Sequence, residues 1–135
     1  AALALPFFNE DAGLFINYAI ANMGVKADAL EKVVNSVVNN LKAELITETE
    51  FEKVRNQVRT GFVTSNATMA GIAESLANYE VYFGDANLIN TELERYNKVT
   101  RQDILNVAKK YLNKDNRVAL YYVPKGSKDQ HTKSF

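Results

Sequence analysis

The feature that most constrains the fold is the helical periodicity that fills the middle of the chain. Between Leu30 and Leu45, apolar residues recur at steps of three and four, which is the spacing of one helix face. Comparable stripes predict four more helices over residues 51–62, 69–83, 88–96 and 104–111. The pattern therefore predicts about five consecutive helices.

Strand-like segments lie on both sides of this helical region. Residues 1–8 and 14–21 are rich in apolar, β-branched and aromatic types, and the polar turn Asn9-Glu10-Asp11 separates them. Residues 117–123 predict a further strand that ends at Pro124. Strands with helices gathered between them define an α+β fold. Because two or three strands make a thin sheet for five helices, we expect additional strands from upstream sequence or from a partner chain.

Short polar motifs predict where helices begin and end. Glycine lowers helix propensity, so Gly61 predicts that the second helix weakens or stops there. Pairs of a polar residue and an acidic residue three positions later are typical of helix N-termini. The pairs are Asp28 with Glu31, Thr47 with Glu50, and Thr100 with Asp103.

Composition excludes several classes of function. The chain has 135 residues, enough for one domain, and its 16 basic and 16 acidic residues give no net charge, which argues against nucleic-acid binding. Cysteine is absent, and the single histidine, His131, lies in a polar tail over residues 126–135. One histidine cannot supply a usual zinc site or a packed catalytic triad. The apolar residues 1–8 are too few to span a membrane.

Two clusters in the predicted helices have a structural and a functional interpretation. The carboxylates of Glu44, Glu48, Glu50 and Glu52 could act as ligands or as an acid/base pair, but their position at a helix start favours capping. Tyr79, Tyr82 and Phe83 occur at helical spacing, which is more typical of core than of a ligand platform. The six glycines form no phosphate-binding motif. We find no reaction centre in the sequence.

Several motifs occur in an order that resembles a known family. Gly13-Leu14-Phe15-Ile16 opens a strand, and Ala73-x-x-Leu76-Ala77-x-Tyr79-Glu80 lies in the third helix. The most telling motifs are Thr47-Glu48-x-Glu50 and Arg95-Tyr96-x-x-Val99-Thr100 followed by Val107-Ala108-x-x-Tyr111-Leu112. Up to about Lys125, the chain resembles the C-terminal stretch of a domain from the insulinase, or pitrilysin, family of zinc metallopeptidases, which includes mitochondrial processing peptidase.

The resemblance implies a partial LuxS/metallopeptidase-like α+β domain over residues 1–125. The polar composition of residues 126–135 predicts a flexible tail. Paired homologous domains of this family enclose a chamber for unfolded peptides, and usually one of the two carries the inverted zinc motif H-x-x-E-H. This chain contains no such motif. We therefore transfer no catalytic and no metal-ligating residue to it. Tyr18 and Tyr122 could line a substrate chamber, although core packing is the commoner role for such residues.

The leading hypothesis is that the chain is a non-catalytic scaffold and chamber portion of a zinc-dependent metalloendopeptidase acting on peptides or unfolded segments. Zinc would then lie in the parent protein or in a partner domain. The expected partners are a homologous peptidase domain or the upstream part of the same protein, together with a peptide substrate, in a periplasmic or organellar compartment. One alternative is a non-enzymatic structural subunit homologous to such peptidases, and another is an unrelated α+β adaptor.

Overall fold

The computed structural model describes residues 1–7 and 11–123. The two strands are β1 (Ala2–Phe7) and β2 (Leu14–Ala19). The helices are α1 (Ala27–Ala43), α2 (Glu48–Ser65), α3 (Met69–Phe83), α4 (Leu88–Lys98) and α5 (Arg101–Tyr111), followed by a 3-10 turn at Lys114–Asn116. The predicted α+β fold with antiparallel strands and five helices is confirmed. The expected turn residues Asn9 and Glu10, together with Phe8, Pro124 and the tail that contains His131, lie outside the described residues.

β1 and β2 form an antiparallel hairpin with one strongly apolar face. Neighbouring residues of a strand point to opposite faces, so every second cross-strand pair shares a face. The apolar face consists of the pairs Leu3–Tyr18, Leu5–Ile16 and Phe7–Leu14. Each of these six side chains is at least 40% exposed. Neither face of β2 is covered, although its apolar sequence indicates a strand packed on both sides.

Local capping chemistry fixes the starts of α2 and α5 as the sequence predicts. The Glu50 N–H donates to the Thr47 hydroxyl at 3.2 Å, and the Glu50 carboxylate accepts from the Thr47 N–H at 3.2 Å. Thr100 and Asp103 make the equivalent reciprocal pair at the start of α5. At the end of α3, Gly84 adopts a left-handed conformation with a φ of 70°, which glycine tolerates without strain. These caps confirm three predicted helix ends.

Two predictions about helix boundaries are wrong. α2 continues through Gly61 to Ser65. The loss of helix propensity at one glycine is about 1 kcal/mol, and side-chain bonds from α2 to α4 oppose it, including one from Arg59 Nε to Asn97 Oδ1 at 2.8 Å. Asp28 does not cap α1 from outside, because α1 begins at Ala27 and Asp28 lies within its first turn. The Glu31 carboxylate accepts from Arg117 and Tyr121.

The strand predicted over residues 117–123 is also wrong for this chain. Arg117, just after the 3-10 turn, has extended backbone, but the segment of residues 117–123 forms no ladder with a strand among the described residues. Val118, Leu120 and Tyr122 are nearly or fully exposed, while Tyr121 is partly buried. A strand requires a neighbour that supplies hydrogen bonds, and that requirement is not local.

The described residues fall into two compact units. The first contains residues Ala1–Lys42 and the C-terminal residues from Ala108. In this unit Lys42, in the last turn of α1, donates from Nζ to the Leu112 carbonyl at 3.0 Å. That bond satisfies a carbonyl just after α5, which has no helical partner of its own.

The second unit, Ala43–Val107, is held by contacts of α4 with α2 and α3 and by side-chain hydrogen bonds from Arg55, Arg59 and Arg101. Arg55 donates to the Val99 carbonyl at 3.2 Å, and Arg101 donates to the Ile46 carbonyl at 2.7 Å. Phe51 and Leu105 are buried in this unit. Among the described residues, the only other buried side chain is that of Ala108, so the buried core is small for 135 residues.

Candidate functional site

Tyr18, one of the two candidate chamber residues, lies on β2 opposite Leu3. Its side chain is 59% exposed and belongs to the apolar face of the hairpin. The structure therefore contradicts the expectation of core packing for Tyr18. The phenol ring is available to a ligand or to a neighbouring surface.

Tyr122, the other candidate, lies in the extended segment after the 3-10 turn and is fully exposed. Tyr121 instead donates its hydroxyl proton to the Glu31 carboxylate. Tyr121 is thus engaged by Glu31, whereas the Tyr122 side chain is exposed. Within the described part of the chain, no ring contact joins Tyr18 to Tyr122.

A polar cluster that the sequence analysis does not identify connects the extended segment to α1. Arg117 donates from Nη2 to Glu31 Oε1 at 2.9 Å and from Nη1 to the Asn35 side-chain oxygen. The hydrogen bond to Glu31, supported by partial burial, raises the pKa of Tyr121 to about 12. The Tyr121 hydroxyl therefore stays protonated near neutral pH and acts as a donor. The cluster ties residues 117–121 to α1.

Three of the four residues in the acidic cluster take part in a cap or an ion pair, and Glu44 is exposed just after α1. Glu50 belongs to the capping box with Thr47, whose hydroxyl and N–H hydrogen bonds lower the pKa of the Glu50 carboxyl. Glu48 pairs with Arg101 at 2.9 Å, and Glu52 pairs with Arg55 at 2.7 Å. Each of these three carboxylates has a structural partner. The structure thus supports the capping interpretation over that of an acid/base pair.

The aromatic cluster of α3 is not core. Tyr79 and Phe83 have ring centroids 6.3 Å apart, but Tyr82 and Phe83 are more than 60% exposed. Burial raises the pKa of the Tyr79 hydroxyl, and the nearby Glu92 carboxylate adds to that effect. The prediction of core packing is therefore wrong for Tyr82 and Phe83. No other element of the described chain covers their side chains.

A small apolar groove lies between α2 and the segment that joins α4 to α5. The Arg55 guanidinium stacks over the Phe51 ring with its central carbon 4.3 Å from the ring centroid. The cavity volume is about 90 Å³, and Val54, Val58, Tyr96, Val99 and Ile104 complete its lining. Small-molecule sites usually enclose about 300–1,000 Å³. The groove is therefore smaller than a typical ligand pocket.

No group of three or more metal-ligating side chains occurs within residues 1–7 and 11–123. His131 lies outside that part of the chain. The proposition that this chain supplies no metal ligand and no catalytic residue stays a prediction from the sequence.

None of the helices in the described part of the chain is both long enough and apolar enough to span a membrane.

The fold has a clear relative among solved structures. A candidate zinc protease from Bordetella pertussis superimposes on 91% of this chain with a TM-score of 0.78 and 20% sequence identity, and the match covers 67% of that protein. The α+β arrangement of this chain is therefore that of part of a zinc-protease-like structure. No known family profile matches the sequence.

Curated relatives are similar at low identity. The zinc protease PqqE of Helicobacter pylori is 24% identical over 115 residues, or 85% of this chain and 26% of that protein. Subunit 2 of the mitochondrial cytochrome b-c1 complex is also 24% identical, over 82% of this chain for the human protein and 77% for the mouse protein. The chain spans about a quarter of the length of these relatives. At low identity, the chain is thus similar both to a zinc protease and to a subunit of the cytochrome b-c1 complex.

Proposed function

We propose that residues 1–125 are the C-terminal portion of an insulinase-like peptidase domain, and that this portion is non-catalytic. The observation that carries the proposal is similarity of sequence and fold to zinc proteases over most of the chain. In the parent enzyme, a zinc ion held elsewhere would polarise the scissile carbonyl and activate water. This chain would supply helical scaffold and part of the wall of a chamber for peptides or unfolded segments.

The distribution of apolar surface supports a role as part of a larger assembly. The hairpin leaves its six-residue apolar face open, and Val118, Leu120 and Tyr122 are exposed on the extended segment. Exposed apolar surface on this scale is typical of sites that contact another protein. Tyr18 and Tyr122 would lie at or beside such contacts. The proposed partner is a homologous peptidase domain or the upstream part of the same protein.

The competing proposal is a structural subunit without peptidase activity. Similarity to subunit 2 of the cytochrome b-c1 complex favours it. The sequence identity to that subunit is 24%, the same as the identity to the zinc protease. An H-x-x-E-H motif in the rest of the parent protein or in a companion would favour the enzyme. Absence of that motif from the whole assembly would favour the structural subunit.

The non-catalytic role can be tested with the purified chain. We expect no cleavage of an unfolded peptide on addition of zinc, and no tightly bound zinc by elemental analysis, because one histidine and no cysteine cannot form a usual zinc site. Cleavage that a chelator abolishes would contradict the proposal. The control is His131→Ala, since activity retained in that variant would point to a contaminating protease.

A further inference from the structure

Helices α2 and α5 begin with the same six-residue pattern. Residues 46–51 and 99–104 each run from an apolar residue through a threonine to an acidic residue three positions later, followed by a second apolar residue. In both helices the threonine and the acidic residue form reciprocal capping bonds. The apolar residues on either side occupy the positions of a hydrophobic staple, which fixes how the chain enters a helix. The two helix starts are therefore locally equivalent.

An arginine of each helix bonds to the start of the other. Arg101, the first residue of α5, donates from Nε to the Ile46 carbonyl at 2.7 Å. Arg55 of α2 donates from Nη2 to the Val99 carbonyl at 3.2 Å. Ile46 and Val99 directly precede the two capping threonines, and the carbonyl before a cap accepts no bond from within its own helix. The carbonyl left free at each helix start is therefore satisfied by the other helix.

Carboxylates offset the positive charge that these arginines bring to the helix starts. A helix N-terminus carries a partial positive charge, so a cation beside it is unfavourable unless an anion is close. Arg101 pairs with Glu48 at 2.9 Å, and Arg55 pairs with Glu52 at 2.7 Å. Both carboxylates lie in the first two turns of α2. Carbonyl and carboxylate acceptors together therefore hold the two arginines in place.

The apolar groove beside Phe51 is bordered by both helix starts. Phe51 comes from the start of α2, and Val99 and Ile104 come from the start of α5. Arg55 stacks on the Phe51 ring and bonds to the Val99 carbonyl, so its guanidinium joins the two sides of the groove. Phe51 is only 6% exposed in this arrangement. Movement of the α5 start away from α2 would therefore widen the groove and expose Phe51.

We infer that the bonds of Arg101 and Arg55 to the opposite helix start form a clasp, through which the starts of α2 and α5 open and close as one unit. Opening of the clasp gives access to the groove. If the first turn of α5 unwinds, Val99 and Arg101 both move, and α2 loses both clasp bonds. Unwinding of the α2 start displaces Ile46 and removes the acceptor of Arg101. All of these groups lie within Ala43–Val107, so the clasp does not depend on what covers the hairpin.

Removal of one cap at a time tests whether the two helix starts are coupled. The first helical bonds of α5 and α2 are those of the Ile104 and Phe51 amides to the carbonyls of the capping threonines. In Thr100→Ala, amide exchange at Ile104 should become about fivefold faster, the scale of one lost helix cap. We expect exchange at Phe51 to accelerate by a similar factor in the same variant, and Thr47→Ala to have the reciprocal effect. Hydrogen exchange followed by NMR measures both amides.

Thr68→Ala is the matched control. Thr68 caps α3 by accepting from the Gly71 N–H at 3.1 Å, and it takes no part in the clasp. Its loss should accelerate exchange in the first turn of α3 and leave exchange at Phe51 and Ile104 unchanged. Circular dichroism verifies that each variant is folded.

Two further variants test the arginines and the groove. Methionine keeps an apolar stem but cannot donate, so in Arg55→Met combined with Arg101→Met the effect of Thr100→Ala should be confined to α5. Because the chain contains no cysteine, Ile104→Cys provides a single thiol in the groove wall. Its labelling by a maleimide should be about fivefold faster when a clasp residue is replaced, as in the Arg55→Met background. Val107→Cys, at a position of α5 that is 55% exposed, should be labelled equally fast in both backgrounds.

Three outcomes would overturn the inference. Faster exchange confined to the helix that carries the substitution would show that the two starts open separately. Equal acceleration at Phe51 and Ile104 in Thr68→Ala would show that these amides exchange through global unfolding instead. An unchanged labelling rate at Ile104→Cys would show that the groove stays closed without the clasp. These measurements require no peptidase activity, so their outcome is independent of the proposed function.

Discussion

At the scale of single residues, Gly71 is the position least able to accept a side chain. A Cβ built on Gly71, in the first turn of α3, would lie 1.8 Å from the Ser65 carbonyl oxygen at the end of α2. A Cβ built on Gly61, inside α2, would have no other atom within 4 Å. The two glycines therefore serve different purposes, since only Gly71 permits a close backbone approach between helices.

We predict opposite effects for alanine at these two positions. Gly71→Ala should lower the free energy of unfolding by about 1–3 kcal/mol, because the backbone at Ser65 must move. Gly61→Ala should raise the free energy of unfolding by about 0.5–1 kcal/mol, because alanine is the better helix former. Urea denaturation followed by circular dichroism measures both. Equal effects from the two substitutions would contradict the close approach of α2 and α3.

The capping carboxylate of Glu50 makes the stability of the protein depend on pH in the acidic range. Its hydrogen bonds from Thr47 lower its pKa from the ordinary value of 4.5. A carboxyl whose pKa is lowered in the folded state stabilises the protein at pH values above its unfolded-state pKa. This stabilisation is lost as the pH falls through the folded-state pKa. We therefore expect the thermal midpoint to fall below about pH 4.5, and Glu50→Gln to show a smaller decrease over the same range.

The matched control is Glu74→Gln on the exposed side of α3, which removes a carboxylate without removing a cap. It should reproduce the wild-type acid profile. A Glu50→Gln profile that matches wild type would mean that the capping box contributes nothing to acid sensitivity. Asp103, whose pKa is lowered by Thr100 at the start of α5, accounts for part of the remaining decrease.

At the scale of elements, Glu31 connects the extended C-terminal segment to α1. Its hydrogen bond raises the Tyr121 pKa from 10.0 to about 12, so the stabilisation is present below pH 10 and is lost as pH rises towards 12. We predict that Glu31→Gln shifts the Tyr121 ionisation back towards 10.0. The difference in tyrosinate absorbance between each protein and its Tyr121→Phe counterpart isolates this one ionisation.

Glu94→Gln, on the exposed side of α4, is the control and should leave the Tyr121 ionisation where it is in the wild type. If Glu31→Gln also leaves the pKa of Tyr121 unchanged, the Glu31 carboxylate does not hold the segment of residues 117–123. Faster amide exchange over residues 117–123 in Glu31→Gln would provide independent support, because backbone segments with fewer contacts open more often.

The elements show which parts of the structure local sequence can specify. The five helices were predictable because a helix face, a Thr47–Glu50 box and a Gly84 cap are each contained within a few consecutive residues. The strand state of residues 117–123 was not, since it depends on a partner strand. The Glu31–Tyr121 bond joins residues 90 positions apart, and no local pattern indicates such a contact.

At the scale of the whole molecule, the small core and the exposed hairpin have one physical explanation. Phe51, Leu105 and Ala108 are the only buried side chains in the described part of the chain, whereas β1 and β2 carry seven large apolar residues that are at least 40% exposed. The hydrophobic effect favours covering that surface. The sequence predicts that the hairpin is covered by further protein, because it contains only two or three strands for five helices. It does not specify which protein surface contacts the hairpin.

The most direct test of the proposed function is to read the coding region upstream of Ala1. Membership of an insulinase-like domain predicts an open reading frame that continues upstream, with a strand-rich half-domain in frame. An H-x-x-E-H motif with a later Glu in that frame would make this chain the rear part of a zinc peptidase. A strand-rich half-domain without that motif would favour a non-catalytic partner. A stop codon immediately before a start at Ala1 would contradict the proposal and favour an independent α+β adaptor.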